Sequence, residues 1–124
     1  MIVRSVIDLG EIIEFIWSEV VTLEEITKLI AREYPNITRN VLWNFEQADV
    51  CGIQREDMRQ IAKVAKQHAQ HEKTAFVGLT NSIFAALRMY EAHAEMAGVS
   101  TSTRVFKSRD EAIHWLKASN VSRR

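Results

Sequence analysis

Val41-Leu42-Trp43-Asn44-Phe45, then Glu46-Gln47-Ala48-Asp49-Val50-Cys51-Gly52-Ile53-Gln54, then a helix-like run from Arg55 to His71: this succession decides the fold. The first five residues form an apolar stretch with little polar interruption, as a strand does when both of its faces are covered. The run after Arg55 places Met58, Ile61, Val64 or Ala65, and His68 on one stripe. Arg59, Lys63, Lys66 and Gln67 lie opposite, the pattern of an amphipathic helix packed on a sheet. Strand, turn and helix together make half of a parallel crossover, and the flanking sequence supplies more such halves.

Upstream, Ile2 to Asp8 and Glu11 to Trp17 are β-branched and aromatic-rich runs joined at Leu9-Gly10, where glycine can adopt a positive φ; they predict an antiparallel hairpin. Thr22-Leu23-Glu24-Glu25 fits a capping box, and Leu23, Ile26, Ile30 and Tyr34 follow at helical spacing. That helix runs from Leu23 to Glu33 and stops before Pro35. Downstream, Thr74 to Leu79 is a strand, Asn81-Ser82 caps a helix from Ile83 to Ala97, and Gly98 closes it. Thr103 to Phe106 is the last strand, and Ser108-Arg109-Asp110-Glu111 fits a second capping box that opens a short helix carrying Ala112, Ile113, Trp115 and Leu116. The order β-β-α-β-α-β-α-β-α gives an α/β fold with a single mixed, mostly parallel sheet of about five strands, opened by an antiparallel hairpin, and about four helices. One domain spans residues 1–118, and residues 119–124 read as a frayed tail.

The composition narrows the function classes. A chain of 124 residues with 47% hydrophobic content suits one core. Sixteen basic and sixteen acidic residues cancel, so no general field draws nucleic acid or an anionic membrane. The single cysteine, Cys51, forms no internal disulfide and belongs to no zinc cluster, which suits a reducing, cytoplasmic setting. No secretory signal opens the sequence, and no apolar run approaches the roughly 20 residues of a membrane span.

The C-terminal string Arg104-Val105-Phe106-Lys107-Ser108-Arg109-Asp110-Glu111-Ala112-Ile113-His114-Trp115-Leu116 resembles the closing strand and helix of STAS domains, the small α/β domains of the anti-sigma-factor antagonist type. A similar ending, phenylalanine, then Asp-Glu-Ala, then Trp-Leu, recurs in bacterial relatives labelled STAS/Sec14-domain proteins. Val41 to Phe45 looks like the family's central strand, and Gly52-Ile53 with Glu56-Asp57-Met58 looks like the start of the helix after its regulatory turn. The resemblance implies a non-catalytic domain that binds a partner, or in distant relatives a nucleotide or lipid. Regulated members carry a phosphorylatable hydroxyl at that turn; here Glu46 to Gln54 holds no serine or threonine.

Residues able to do chemistry have plainer readings. No phosphate-binding glycine loop occurs, and there are four glycines in all. His68 and His71 stand three apart on the expected helix, but no third ligand joins them, so they read as solvated side chains at a helix end. His93 and His114 read as packing or surface residues. Ser82, Ser100, Ser102 and Ser108 read as caps or strand ends, none of them in a Gly-x-Ser-x-Gly elbow. Cys51 sits ahead of a helix whose dipole favours a thiolate, whereas Asp49 and Asp57 oppose one; it reads as a small half-buried residue in a tight turn. On the helix from Ile83 to Ala97, Ile83, Leu87, Tyr90 and Ala94 can face the sheet, and some of Phe84, Met89 and Met96 are expected to be buried by the neighbouring helices, the alternative being a patch for another chain.

Three functions follow as expectations. The first is a non-enzymatic STAS-like interaction or regulatory domain whose partner surface is Asp49, Cys51, Gln54, Arg55, Glu56 and Asp57. The second is a carrier of a lipid or other apolar small molecule, with a pocket under the helix from Ile83 to Ala97 lined by Trp43, Phe45 and Tyr90. A thiol enzyme around Cys51 ranks last. A protein partner is expected, a homodimer stays open, and no cofactor, metal or nucleic acid is expected.

Overall fold

The computed structural model of the chain describes residues 2–8 and 10–118. Leu9 of the expected hairpin turn and the expected tail at 119–124 lie outside the described residues. Strands β1 (Ile2–Ile7) and β2 (Ile12–Val20) pair antiparallel, with Ile7 opposite Ile12. Gly10 takes φ 89° in the reversal, and its N–H donates to the Ile7 carbonyl at 3.2 Å. Helix α1 (Leu23–Glu33) starts with the reciprocal box: the Thr22 N–H donates to Glu25 Oε1 at 3.0 Å, and the Glu25 N–H to Thr22 Oγ1 at 3.2 Å. Strand β3 (Asn40–Asp49), helix α2 (Arg55–His68), strand β4 (Lys73–Val77), helix α3 (Asn81–Ala97), strand β5 (Ser102–Phe106) and helix α4 (Arg109–Lys117) follow.

The sheet keeps the order of the sequence, β1-β2-β3-β4-β5, with β2 to β5 parallel. β3 is therefore central, and Val41 to Phe45 are buried throughout. Side chains alternate across a strand, so each strand feeds two layers. Ile13, Phe15 and Trp17 of β2, Val41, Trp43 and Phe45 of β3, and Phe76 of β4 point to one face, where α1, α2 and α3 close the main core. The aromatic rings pack laterally, with the Trp17 and Trp43 centroids 5.1 Å apart and those of Trp43 and Phe76 5.6 Å apart. On the other face Ile12, Leu42, Ala75 and Val77 lie under Ala112 and Leu116 of α4. Gly78 lets α3 close on the sheet, since a Cβ there would stand 2.5 Å from Ile83 Cγ2.

Several local expectations are corrected. β3 continues through Glu46 to Asp49 because a bulge keeps it paired with β2: Asn44 lies opposite Ile16, but Gln47 lies opposite Ser18. α2 ends at His68 rather than His71, because Ala69 turns to the extended φ −71°, ψ 130°. Thr80, not Asn81-Ser82, caps α3: its Oγ1 accepts from the Ile83 N–H at 3.2 Å. Of the two alternatives for the outer residues of α3, Phe84 is half-buried, whereas Met89 and Met96 are 36% and 76% exposed and belong to a surface patch.

The last helix is held at its end by polar contacts. Buried Lys73 donates from Nζ to the carbonyls of Trp115 and Ala118, each at 2.9 Å, and Asn40 Nδ2 donates to the Leu116 carbonyl at 2.8 Å. A cation at the carbonyl end of a helix satisfies orphan acceptors and opposes the dipole. Trp115 is half-buried against Phe106, with ring centroids 5.8 Å apart, whereas Leu116 is buried. Leu116→Ala should therefore cost about 2–5 kcal/mol, and Trp115→Ala less than that, as read from urea midpoints. Equal costs would show that the indole shares the anchoring role.

Candidate functional site

The turn between β3 and α2 turns its polar groups on itself. Asp49 Oδ1 accepts from the Cys51 N–H at 2.9 Å, an Asx turn. The Ile53 N–H donates to the Val50 carbonyl at 3.0 Å, and the Gln54 N–H to Asp57 Oδ2 at 2.9 Å. These bonds send the half-buried side chains of Val50 and Ile53 inward. Cys51, Gln54, Arg55 and Glu56 stay exposed, while Asp57 is half-buried and serves the helix start. The six expected partner-surface residues thus share one turn, although Asp57 is structurally engaged and Glu56 pairs with Arg59 at 3.8 Å.

Cys51 is fully exposed rather than half-buried. The Asp49 carboxylate, through its hydrogen bond and then its charge, raises the thiol's pKa, while the Cys51 backbone N–H, and then its side chain, lower that of Asp49. At neutral pH the sulfur is the protonated thiol, a poor nucleophile.

Beneath the turn lies an apolar cavity of about 50 Å³ between the sheet and α1 to α3. Trp43, Phe45 and Tyr90 all line it, joined by Tyr34, Phe76 and Met58, and Val50 and Ile53 form part of its wall. Burial drives the Tyr34 hydroxyl pKa well up, with Tyr90 nearby adding to it. Trp43 and Thr74 act in the opposite direction, although the Trp43 indole N–H completes no hydrogen bond. Outside the same wall runs a groove of about 320 Å³ between the turn and the start of α3. Val50, Ile53 and Ala86 line both spaces. Thr80 and Ser82 reach the groove from the β4–α3 turn, because parallel order sets that turn beside the β3–α2 turn.

One buried carboxylate has no counterpart in the sequence reading. Glu14 of β2 is 1% exposed on the α4 face; Arg109 donates to it twice, from Nε at 2.8 Å and Nη2 at 2.7 Å, and Asn44 Nδ2 donates at 3.1 Å. Burial pushes the Glu14 pKa up, but the hydrogen bonds from Arg109 and Asn44 and the Arg109 charge outweigh it, so the net shift is downward. The signal present in the sequence was a lone carboxylate within Ile12-Ile13-Glu14-Phe15-Ile16-Trp17.

His71 corrects an expectation. It is buried, not solvated; its ring packs edge-on to Tyr34 with centroids 4.8 Å apart, and Nε2 lies 2.6 Å from Thr74 Oγ1. His68 lies at the last turn of α2, half-buried, and does not join it. Among the described residues no group of three or more His, Cys, Asp or Glu side chains is placed to hold a metal ion. No family model and no curated protein matches the chain.

Burial depresses the His71 pKa from 6.5 to about 4. The folded state therefore favours the neutral ring, while the unfolded chain takes up protons first as pH falls. This contribution to stability is complete above the unfolded pKa and declines between about pH 6.5 and pH 4. Between pH 7.5 and pH 5 the loss should reach about 2 kcal/mol. Glu14, whose pKa is lowered from 4.5, loses its contribution only below about pH 4.5. Urea titrations of His71→Asn should show a flatter dependence over the same range, and an unchanged slope would exclude His71 as its source.

Proposed function

We propose that the chain is a non-enzymatic, cytoplasmic interaction domain of STAS-like type that receives a protein partner at the β3–α2 turn. The observation that carries this reading is the double role of Val50 and Ile53, which line both the apolar pocket under the turn and the neighbouring groove. Tight interfaces are organised around an apolar anchor seated in a central pocket with polar groups at the rim. Here an aliphatic side chain from a partner would lie over Val50, Ile53 and Ala86, with Asp49, Thr80 and Ser82 as the rim.

Size argues for a protein anchor over a carried lipid. A cavity of about 50 Å³ is smaller than the ~150 Å³ that admits benzene into an apolar core. It can take the tip of a side chain but not an acyl chain. The groups that would serve an enzyme are otherwise engaged: Cys51 is held as a thiol by Asp49, His71 by its burial beside Thr74, and Glu14 by Arg109. With no serine or threonine between Glu46 and Gln54, the turn has no hydroxyl at the place where regulated STAS domains are switched.

Native mass spectrometry of the protein purified from its own cells tests the reading. The expected result is a protein bound at one to one. Cys51→Trp, which fills the groove from an exposed position, should weaken it at least about tenfold without lowering the thermal midpoint. Arg55→Glu should weaken it less. A retained small molecule with no protein would replace this reading by the carrier, and a partner captured equally well by Cys51→Trp would place the contact elsewhere.

A further inference from the structure

Helix α3 has two apolar faces. Leu87, Tyr90 and Ala94 are buried against the sheet, and on the far side Ala85, Met89, Ala92 and Met96 are all exposed. Their spacing of four, three and four residues draws one straight stripe about 16 Å long. Arg88 and Glu95, also exposed, flank that stripe on a single side.

We propose that this stripe is the contact surface for a second copy of the same chain, packed antiparallel about a two-fold axis lying between residues 90 and 91. The proposal is independent of the turn-and-groove reading. Such an axis requires the surface to be complementary to itself, and the stripe meets the requirement in both size and charge. It sets Met89 opposite Ala92 of the second copy, and Met96 opposite Ala85. Each long side chain thus faces a small one, the alternation that lets layers interdigitate. A two-fold of this kind also brings like flanks together, so Arg88 of one copy meets Glu95 of the other, twice over. Arg88 now pairs within its helix with Glu91 at 3.1 Å and is 63% exposed, a solvent-screened contact that is readily exchanged. Parallel packing would instead set Met on Met and carry the two charged flanks to opposite sides of the contact, where Arg88 and Glu95 could not pair.

The stripe is smaller than the ~800 Å² per partner of a standard interface, so the dimer forms in the micromolar range or above. The charge pairs fix its orientation more than its strength.

Sedimentation equilibrium of the full chain up to ~1 mM should show a reversible approach to twice the 14.3 kDa chain mass. Met89→Glu should raise the dissociation constant at least about tenfold. Arg88→Glu and Glu95→Arg should each raise it about threefold to tenfold, and the double reversal should restore it to within about twofold. Thermal midpoints of all variants check that each folds. A chain that stays monomeric at the highest concentration overturns the proposal and leaves the stripe to a different protein. A dimer indifferent to Met89→Glu, or one not restored by the double reversal, also overturns it.

Discussion

The order of the strands is the constraint on which the rest of the structure depends. Four consecutive strands run parallel as neighbours, and each crossover between them turns the same way, so α1, α2 and α3 all fall on one face. No strand order reverses between β2 and β5, so no crevice opens where helices diverge to opposite faces, the usual ligand position in an open parallel sheet. The space that does exist lies inside the three-helix layer, under the β3–α2 turn. One face of the sheet is therefore thick and aromatic, and the other has α4 as its covering helix.

That asymmetry explains where the polar groups are buried. A helix of nine residues brings too little apolar area to hold itself on a sheet, and alone it would not be helical in water. Ala112 and Leu116 supply its apolar contact, and polar contacts supply the rest: Arg109 on Glu14 at the start, Lys73 and Asn40 on the last carbonyls at the end. Arg109 is about one-third exposed, so its pairing with buried Glu14 confers orientation more than stability.

What was legible in the sequence was local. The Thr22–Glu25 box, the Ser108 cap and the Gly98 closure are decided within three or four residues, and the structure has them where the spacing put them. Alternation of strands and helices gave the layers, because apolar side chains at β positions must be covered. Trp43, Phe45 and Tyr90 were readable as inward-facing and do line one cavity. Less legible were contacts between distant segments. Glu14 and Arg109 stand 95 positions apart, and nothing around either names the other. His71 looked like a helix-end residue because the pattern of α2 has no sharp stop, and its burial depends on Tyr34 and Thr74. The pattern left Met89 and Met96 open between burial and a surface patch, because an all-round apolar helix ordinarily signals burial.

The late position of α4 also orders events as the chain is made. Ile12, Leu42, Ala75 and Val77 belong to strands already synthesised when residues 109–118 have yet to appear, and until then one face of the sheet has no helix over its apolar centre. Exposed sheet surface of this kind invites association with other nascent chains. Glu14, Asn40 and Lys73 sit in that same field, and before Arg109 and the α4 carbonyls arrive they are hydrated polar groups set among the apolar ones. The residues that later fasten the helix thus keep the unfinished face wetted, so one set of side chains protects the growing chain and then locks the completed one.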